Sequence, residues 1–176
     1  KDSDQLGGRV TDSSWSAPLL ADRAVFNAEH PAPQAGSYTL VIPGTAGATG
    51  MPAGDGYGTV EVDMSGRVQF KGALADGTKL TQSAVISKSG EWPFFARLYG
   101  IEGSILGWLA FTNGGGGDLG GALAWSKGQQ PSTRYYLTGF GVDSQATGSK
   151  YTPPLEEERA LNFSEGRVWL ADGNLA

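Results

Sequence analysis

Histidine and cysteine, which many catalytic sites use as base and nucleophile, are nearly absent from this chain. It has one histidine, His30, and no cysteine in 176 residues. A serine–histidine–carboxylate triad would have to use His30, which precedes a proline in His30-Pro-Ala-Pro33. No G-x-S-x-G nucleophile elbow is present, so His30 reads as a surface loop residue. Zinc–thiolate and multi-histidine metal centres are excluded by composition. Carboxylates are left. Asp55, Glu61, Asp63, Asp76, Glu91, Glu102 and Asp118 are candidates for the paired acid and base of a glycoside hydrolase, but no spacing marks two of them as a pair. Asp63, Asp76 and Asp118 stand at turns, where aspartate binds nearby backbone, and Glu61 lies on the polar face of a strand. Asp55-Gly-Tyr-Gly58 and Asp63-Met-Ser-Gly66 lack the dense ligand spacing of an EF-hand calcium loop. Gly54-x-Gly56-x-Gly58 and Gly114 to Gly117 lack the βα setting and the G-K-[ST] of phosphate-binding loops. The sequence calls for no metal and no cofactor, and it leans away from an enzyme.

Aromatic side chains are the stronger signal. Trp92, Phe94, Phe95, Tyr99, Trp108, Phe111 and Trp125 fall in the strand-rich centre, followed by Tyr135, Tyr136 and Phe140. In Trp92-Pro-Phe-Phe95 successive side chains point to opposite faces of an extended segment. Leu106, Trp108 and Ala110 alternate in the same way with Ile105, Leu109 and Phe111. Either these strands are covered on both faces, or one face binds something. Trp92, Trp108 and Tyr135 are the first candidates for stacking on a sugar ring. Enclosed aromatics would instead suit a lipocalin-like pocket for a small ligand, or simply a core.

The elements that must position these rings are short strands. Glycine is abundant, 28 residues, and outside the run Gly114 to Gly117 it mostly punctuates apolar runs. Tyr57–Asp63 alternates with Val60 and Val62 on one face, and Arg67–Lys71 with Val68 and Phe70. Met64-Ser-Gly66 turns between them, which makes a hairpin. Arg23–Asn27, Ser37–Pro43, Lys79–Ser87, Trp92–Leu98, Ser104–Phe111, Leu119–Trp125 and Arg134–Phe140 also read as strands. Lys1–Gly8 reads as loosely held and Gly141–Pro154 as loop. About ten strands at this spacing predict an all-β, antiparallel fold. Gly58, Gly72, Gly107 and Gly121 inside strands favour a barrel over the alternative, a two-sheet β-sandwich, because they allow sharp coiling. Residues 1–150 read as the β domain, 151–160 as a linker or short helical turn, and 161–176 as a C-terminal strand docking on the same domain.

A net charge of −5 makes nucleic acid an improbable partner, since phosphate binding needs a basic face. No apolar run is long enough for a membrane-spanning helix, so no membrane insertion is expected. Trp15-Ser-Ala-Pro18, Ala35-Gly-Ser-Tyr-Thr39, Pro52-Ala-Gly-Asp-Gly56, Leu74-Ala-Asp-Gly77, Glu91-Trp-Pro93 and Tyr135-Tyr136…Gly139-Phe140 carry a resemblance. The chain resembles an uncharacterised all-β module of large exported, multidomain bacterial surface and secreted proteins. The resemblance implies an extracellular or cell-surface location and neighbouring domains as partners, and it assigns no chemistry. The expectation is therefore a non-catalytic extracellular module, with glycan or polysaccharide binding through surface aromatics as its leading form. A structural or adhesion spacer is the alternative, followed by a carboxylate-dependent glycoside hydrolase or a small-ligand barrel.

Overall fold

The computed structural model describes residues 4–114, 117–133, 135–160 and 163–167. It is all-β, with ten strands. Two form a separate hairpin, β1 (Gln5–Thr11) and β2 (Ser16–Asp22). The others are β3 (Gly36–Ile42), β4 (Gly56–Val62), β5 (Arg67–Ala73), β6 (Lys79–Val85), β7 (Glu91–Leu98), β8 (Gly103–Gly114), β9 (Gly117–Lys127) and β10 (Phe140–Tyr151). They make one antiparallel sheet in the order β6-β5-β4-β3-β10-β9-β8-β7. Its two ends, β6 and β7, lie against each other, so the sheet curls into a nearly closed eight-stranded barrel. Of the two expected architectures, the barrel forms and the sandwich does not.

Strict alternation fills the interior. Tyr38, Leu40 and Ile42 point in from β3, Val60 and Val62 from β4, and Val68 and Phe70 from β5. Across the barrel stand Trp92 and Phe94 of β7, Ile105 and Leu109 of β8, and Leu119, Leu123 and Trp125 of β9. The rings interlock: Phe70 meets Phe94 at 5.5 Å, Trp92 meets Phe94 at 5.1 Å, and Trp92 stacks on Phe111 at 6.3 Å. Space for Phe70 comes from a glycine pair. Gly58 and Gly72 stand opposite each other in β4 and β5. A Cβ on Gly58 or Gly72 would lie 2.6 or 2.7 Å from Phe70 Cζ. The ring thus lies flat on bare backbone, and the sheet can coil tightly there.

Where β6 meets β7 the backbone ladder stops. Pro93 in β7 has no N–H to offer. The side chain of Gln82 spans the gap: its Nε2 donates to the Pro93 carbonyl at 3.2 Å, and its Oε1 accepts the indole N–H of Trp92 at 2.9 Å. One amide thus ties both edges and satisfies the polar atom of a fully buried tryptophan.

Several strand assignments differ from expectation. Arg23–Asn27 is not a strand. Phe26 instead packs on the core beside Gly66, while Asn27 Oδ1 accepts the amides of Glu29 and His30, both at 2.9 Å, in a side-chain-capped turn. Lys1–Gly8 was expected to be loosely held, yet β1 begins at Gln5, because the pairing partner is the unforeseen strand β2. In the expected strand Arg134–Phe140, the described residues Tyr135–Gly139 make turns, with Tyr136 at φ 53° and Gly139 at φ 78°. Gly141–Pro154, expected as loop, holds most of β10. Its inward residues are small, and the register explains why: Val142 stands beside Trp125, Ser144 beside Leu123 and Gly148 beside Leu119. Leu155–Glu158 forms a single turn, closed by Glu158 N–H to the Leu155 carbonyl at 2.9 Å. Of the expected C-terminal strand 161–176, Phe163–Arg167 is exposed and not in a strand, and 161–162 and 168–176 lie outside the described residues.

Replacing Gln82 by Ala is expected to leave the Trp92 N–H buried and unpaired. Stability should fall by about 1–3 kcal/mol in urea denaturation, the usual cost of such an orphan. An unchanged midpoint would show that the seam does not depend on this amide.

Candidate functional site

Alternation places one set of side chains outside the barrel. On β3–β6 that set is mostly polar: Thr39, Thr59, Glu61, Gln69, Lys71, Thr81 and Ser83. On β7 and β8 the pattern inverts. Pro93 and Phe95 of β7 stand opposite Trp108 and Leu106 of β8. Phe95 is 55% exposed, and Leu106 and Trp108 are each 47% exposed. On the far side of β8, Leu106 pairs with Ala124 of β9, a small residue that covers little of it. The outcome is an exposed apolar strip on a rigid sheet, of the kind that marks an interaction surface.

At one end the strip opens into a groove of about 590 Å3, lined by Phe95, Arg97, Ile101, Glu102, Ser104 and Ser126 among others. Register aligns Arg97 with Ser104 and Ser104 with Ser126, so a polar row lies beside the apolar row Phe95–Leu106–Ala124. Ile101 and Glu102 come from the β7–β8 turn, which depends on Tyr99. Tyr99 has φ 54°, unusual for an aromatic residue, followed by Gly100 at φ 75°. Its ring is fixed from several sides. The hydroxyl donates to Asp76 Oδ2 at 2.6 Å and accepts the Trp125 indole N–H at 3.1 Å. The Lys127 ammonium lies 5.1 Å over the ring. Lys127 is itself buried, donating to Thr133 Oγ1 at 3.1 Å and to the Tyr135 carbonyl at 2.7 Å. Burial, then the hydrogen bond to Asp76 and its negative charge, push the Tyr99 phenol well above its ordinary pKa of 10.0.

The three expected stacking residues do not converge. Trp92 is a correction: it is 0% exposed, packed among Phe70, Phe94 and Phe111, and it has no face to offer a surface ligand. Trp108 lies on the strip. Tyr135 is 56% exposed, in the β9–β10 loop, where its carbonyl holds Lys127. Lys127 stands opposite Gly103, five residues along β8 from Trp108, or about 17 Å. Phe95, Leu106 and Arg97 were not foreseen as site residues. The double apolar alternation was the signal, but it did not say which face turned outward.

Most of the candidate carboxylates bond within turns or between strands, and Asp118, expected at a turn, lies inside β9. Asp63 Oδ1 accepts from Ser65 Oγ at 2.7 Å, Ser65 N at 2.8 Å and Arg67 N at 3.0 Å. The Ser65 hydroxyl, then the Arg67 amide, hold its carboxyl below the usual range. Asp76 accepts the Thr78 amide at 2.9 Å, Asp118 the Lys150 amide at 2.7 Å, Glu61 the Ser37 hydroxyl at 2.8 Å, and Asp55 the Gly44 amide at 3.3 Å. His30 is exposed, with its backbone in the Asn27 turn. Among the described residues, no three His, Cys, Asp or Glu side chains gather as a metal site. Compared with family models, curated proteins and solved structures, the chain matches none.

Tyr99 predicts an alkaline weakness. Its folded pKa is raised, so its contribution to stability is complete below the unfolded value near 10 and is lost as pH rises above it. In pH-dependent thermal melts, Tyr99→Phe should lower stability at neutral pH and flatten the decline above about pH 10. Parallel wild-type and variant profiles would refute this assignment.

Proposed function

We propose that this protein is a non-catalytic extracellular module that binds a glycan on the outer face of β7, β8 and β9. The observation that carries this reading is the exposed pair Phe95 and Trp108. They are diagonal neighbours across β7 and β8, about 7–8 Å apart at the backbone and within reach of one ligand. Pyranose rings present apolar C–H faces that stack on aromatic rings, while their hydroxyls need polar partners. Arg97, Glu102, Ser104 and Ser126 stand beside the rings to supply them. Glu102 is the single carboxylate lining the groove among the described residues, so the two-carboxylate arrangement of a glycosidase finds no support at the strip. The lipocalin-like alternative is not favoured either, since interlocking rings occupy the interior. The extracellular setting rests on the resemblance to modules of exported bacterial proteins.

A second reading, a structural or adhesion spacer, draws on the β1–β2 hairpin. Leu6, Gly8 and Val10 stand opposite Ala21, Leu19 and Ala17, so one face of the hairpin is wholly apolar. Leu6, Val10 and Leu19 are exposed. A two-stranded sheet with such a face suits contact with a neighbouring domain.

In affinity electrophoresis and calorimetry against a panel of polysaccharides, at least one glycan should bind. Trp108→Ala and Phe95→Ala should each weaken it about tenfold or more, roughly 1.4 kcal/mol. Tyr57→Ala, which removes an exposed ring from the outer face of β4, should change nothing. No binding across the panel, or equal binding by Trp108→Ala, would end the glycan reading.

A further inference from the structure

Arg97 and Glu102 line the same groove, yet they do not pair. Among the described residues neither side chain makes an ion pair or hydrogen bond, so a guanidinium fork and a carboxylate both face one open space. Arg97 continues the outer row of β7 one step beyond Phe95, and Glu102 ends the turn that Tyr99 fixes. The Ser104 and Ser126 hydroxyls lie between the strip and the barrel end.

This constrains the ligand's charge. A carboxylated or sulfated sugar would gain at Arg97 and be repelled at Glu102. Lys127 also lines the groove, but it is buried with its ammonium committed to Thr133, the Tyr135 carbonyl and the Tyr99 ring, and a chain of net charge −5 opposes an anion's approach. A neutral sugar satisfies both groups at once: a hydroxyl oxygen accepts from Arg97 while a neighbouring O–H donates to Glu102. Both are charge-assisted hydrogen bonds, stronger than those between neutral groups. Resting on the glycan reading above, we infer that Arg97 and Glu102 make the strip selective for an uncharged, polyhydroxylated chain. They grip the diol of one sugar unit, while Phe95 and Trp108 stack on adjoining units.

The test uses the full chain in calorimetry with neutral glucan, mannan and galactan, each compared with its counterpart oxidised to the polyuronate. The neutral form should bind about tenfold more tightly or better, with little change between roughly 50 and 500 mM salt. Arg97→Ala and Glu102→Ala should each weaken the neutral chain about fivefold or more, with unaltered melting temperature, since both residues are exposed. Glu102→Gln should narrow the gap between neutral and oxidised chains by removing the repulsion. Tighter, salt-sensitive binding of the polyuronate that Trp108→Ala still abolishes would overturn the selectivity and leave the glycan site standing. So would neutral-chain binding that neither Arg97→Ala nor Glu102→Ala weakens. Failure of every chain, neutral and oxidised, would remove the glycan reading and this inference with it.

Discussion

One side-chain amide bridges the two edges at which the barrel closes. A sheet of eight strands has two edges, and edges are exposed ladders that must be paired, covered or blunted. Here β7 carries Pro93, which cannot donate to a ladder, so a continuous backbone seam with β6 is impeded. Gln82 takes over by accepting from Trp92 and donating to the Pro93 carbonyl. The same bond lets the Trp92 indole be wholly buried without an orphaned N–H. Edge and core are thus secured together.

Once the barrel closes, its two surfaces have separate fates. The inner face takes Trp92, Phe94, Ile105 and Leu109 and fills with interlocking rings. The outer face of the same two strands must then display Phe95, Leu106 and Trp108, because a strand of period two has nowhere else to put them. No second layer covers this part of the sheet among the described residues. An exposed aromatic strip is therefore the product of a core-forming sequence on one side and an apolar sequence on the other.

The groove at the strip's end owes its form to the opposite face of the barrel wall. Asp76 on the β5–β6 turn and Trp125 on β9 hold the Tyr99 hydroxyl, and Lys127 caps its ring. These contacts keep an aromatic residue in a left-handed conformation and so aim the next residues, through Glu102, at the outer face. Buried polar bonds at the barrel end thereby position exposed polar groups at the candidate site.

The sequence by itself determined the class of fold and most of its central strands. The alternation of Val60, Val62, Val68 and Phe70, with glycine at the turns, leaves little choice, since only one face of such strands can be buried. The single histidine and lack of cysteine also excluded zinc–thiolate and multi-histidine metal centres. Weakly apolar strands were illegible. In β10 the inward residues Ser144, Ala146 and Gly148 are small because Leu123 and Leu119 already fill that space, a fact of register between distant segments. Tertiary structure alone decided which of two apolar faces on β7 and β8 turned outward, placing Trp92 in the core and Trp108 on the strip. Arg97, Glu102 and Ser104 belong to one legible hairpin, but tertiary structure alone set its register, brought Ser126 of β9 beside it, and fixed through the Tyr99 contacts the turn that adds Glu102 to the groove.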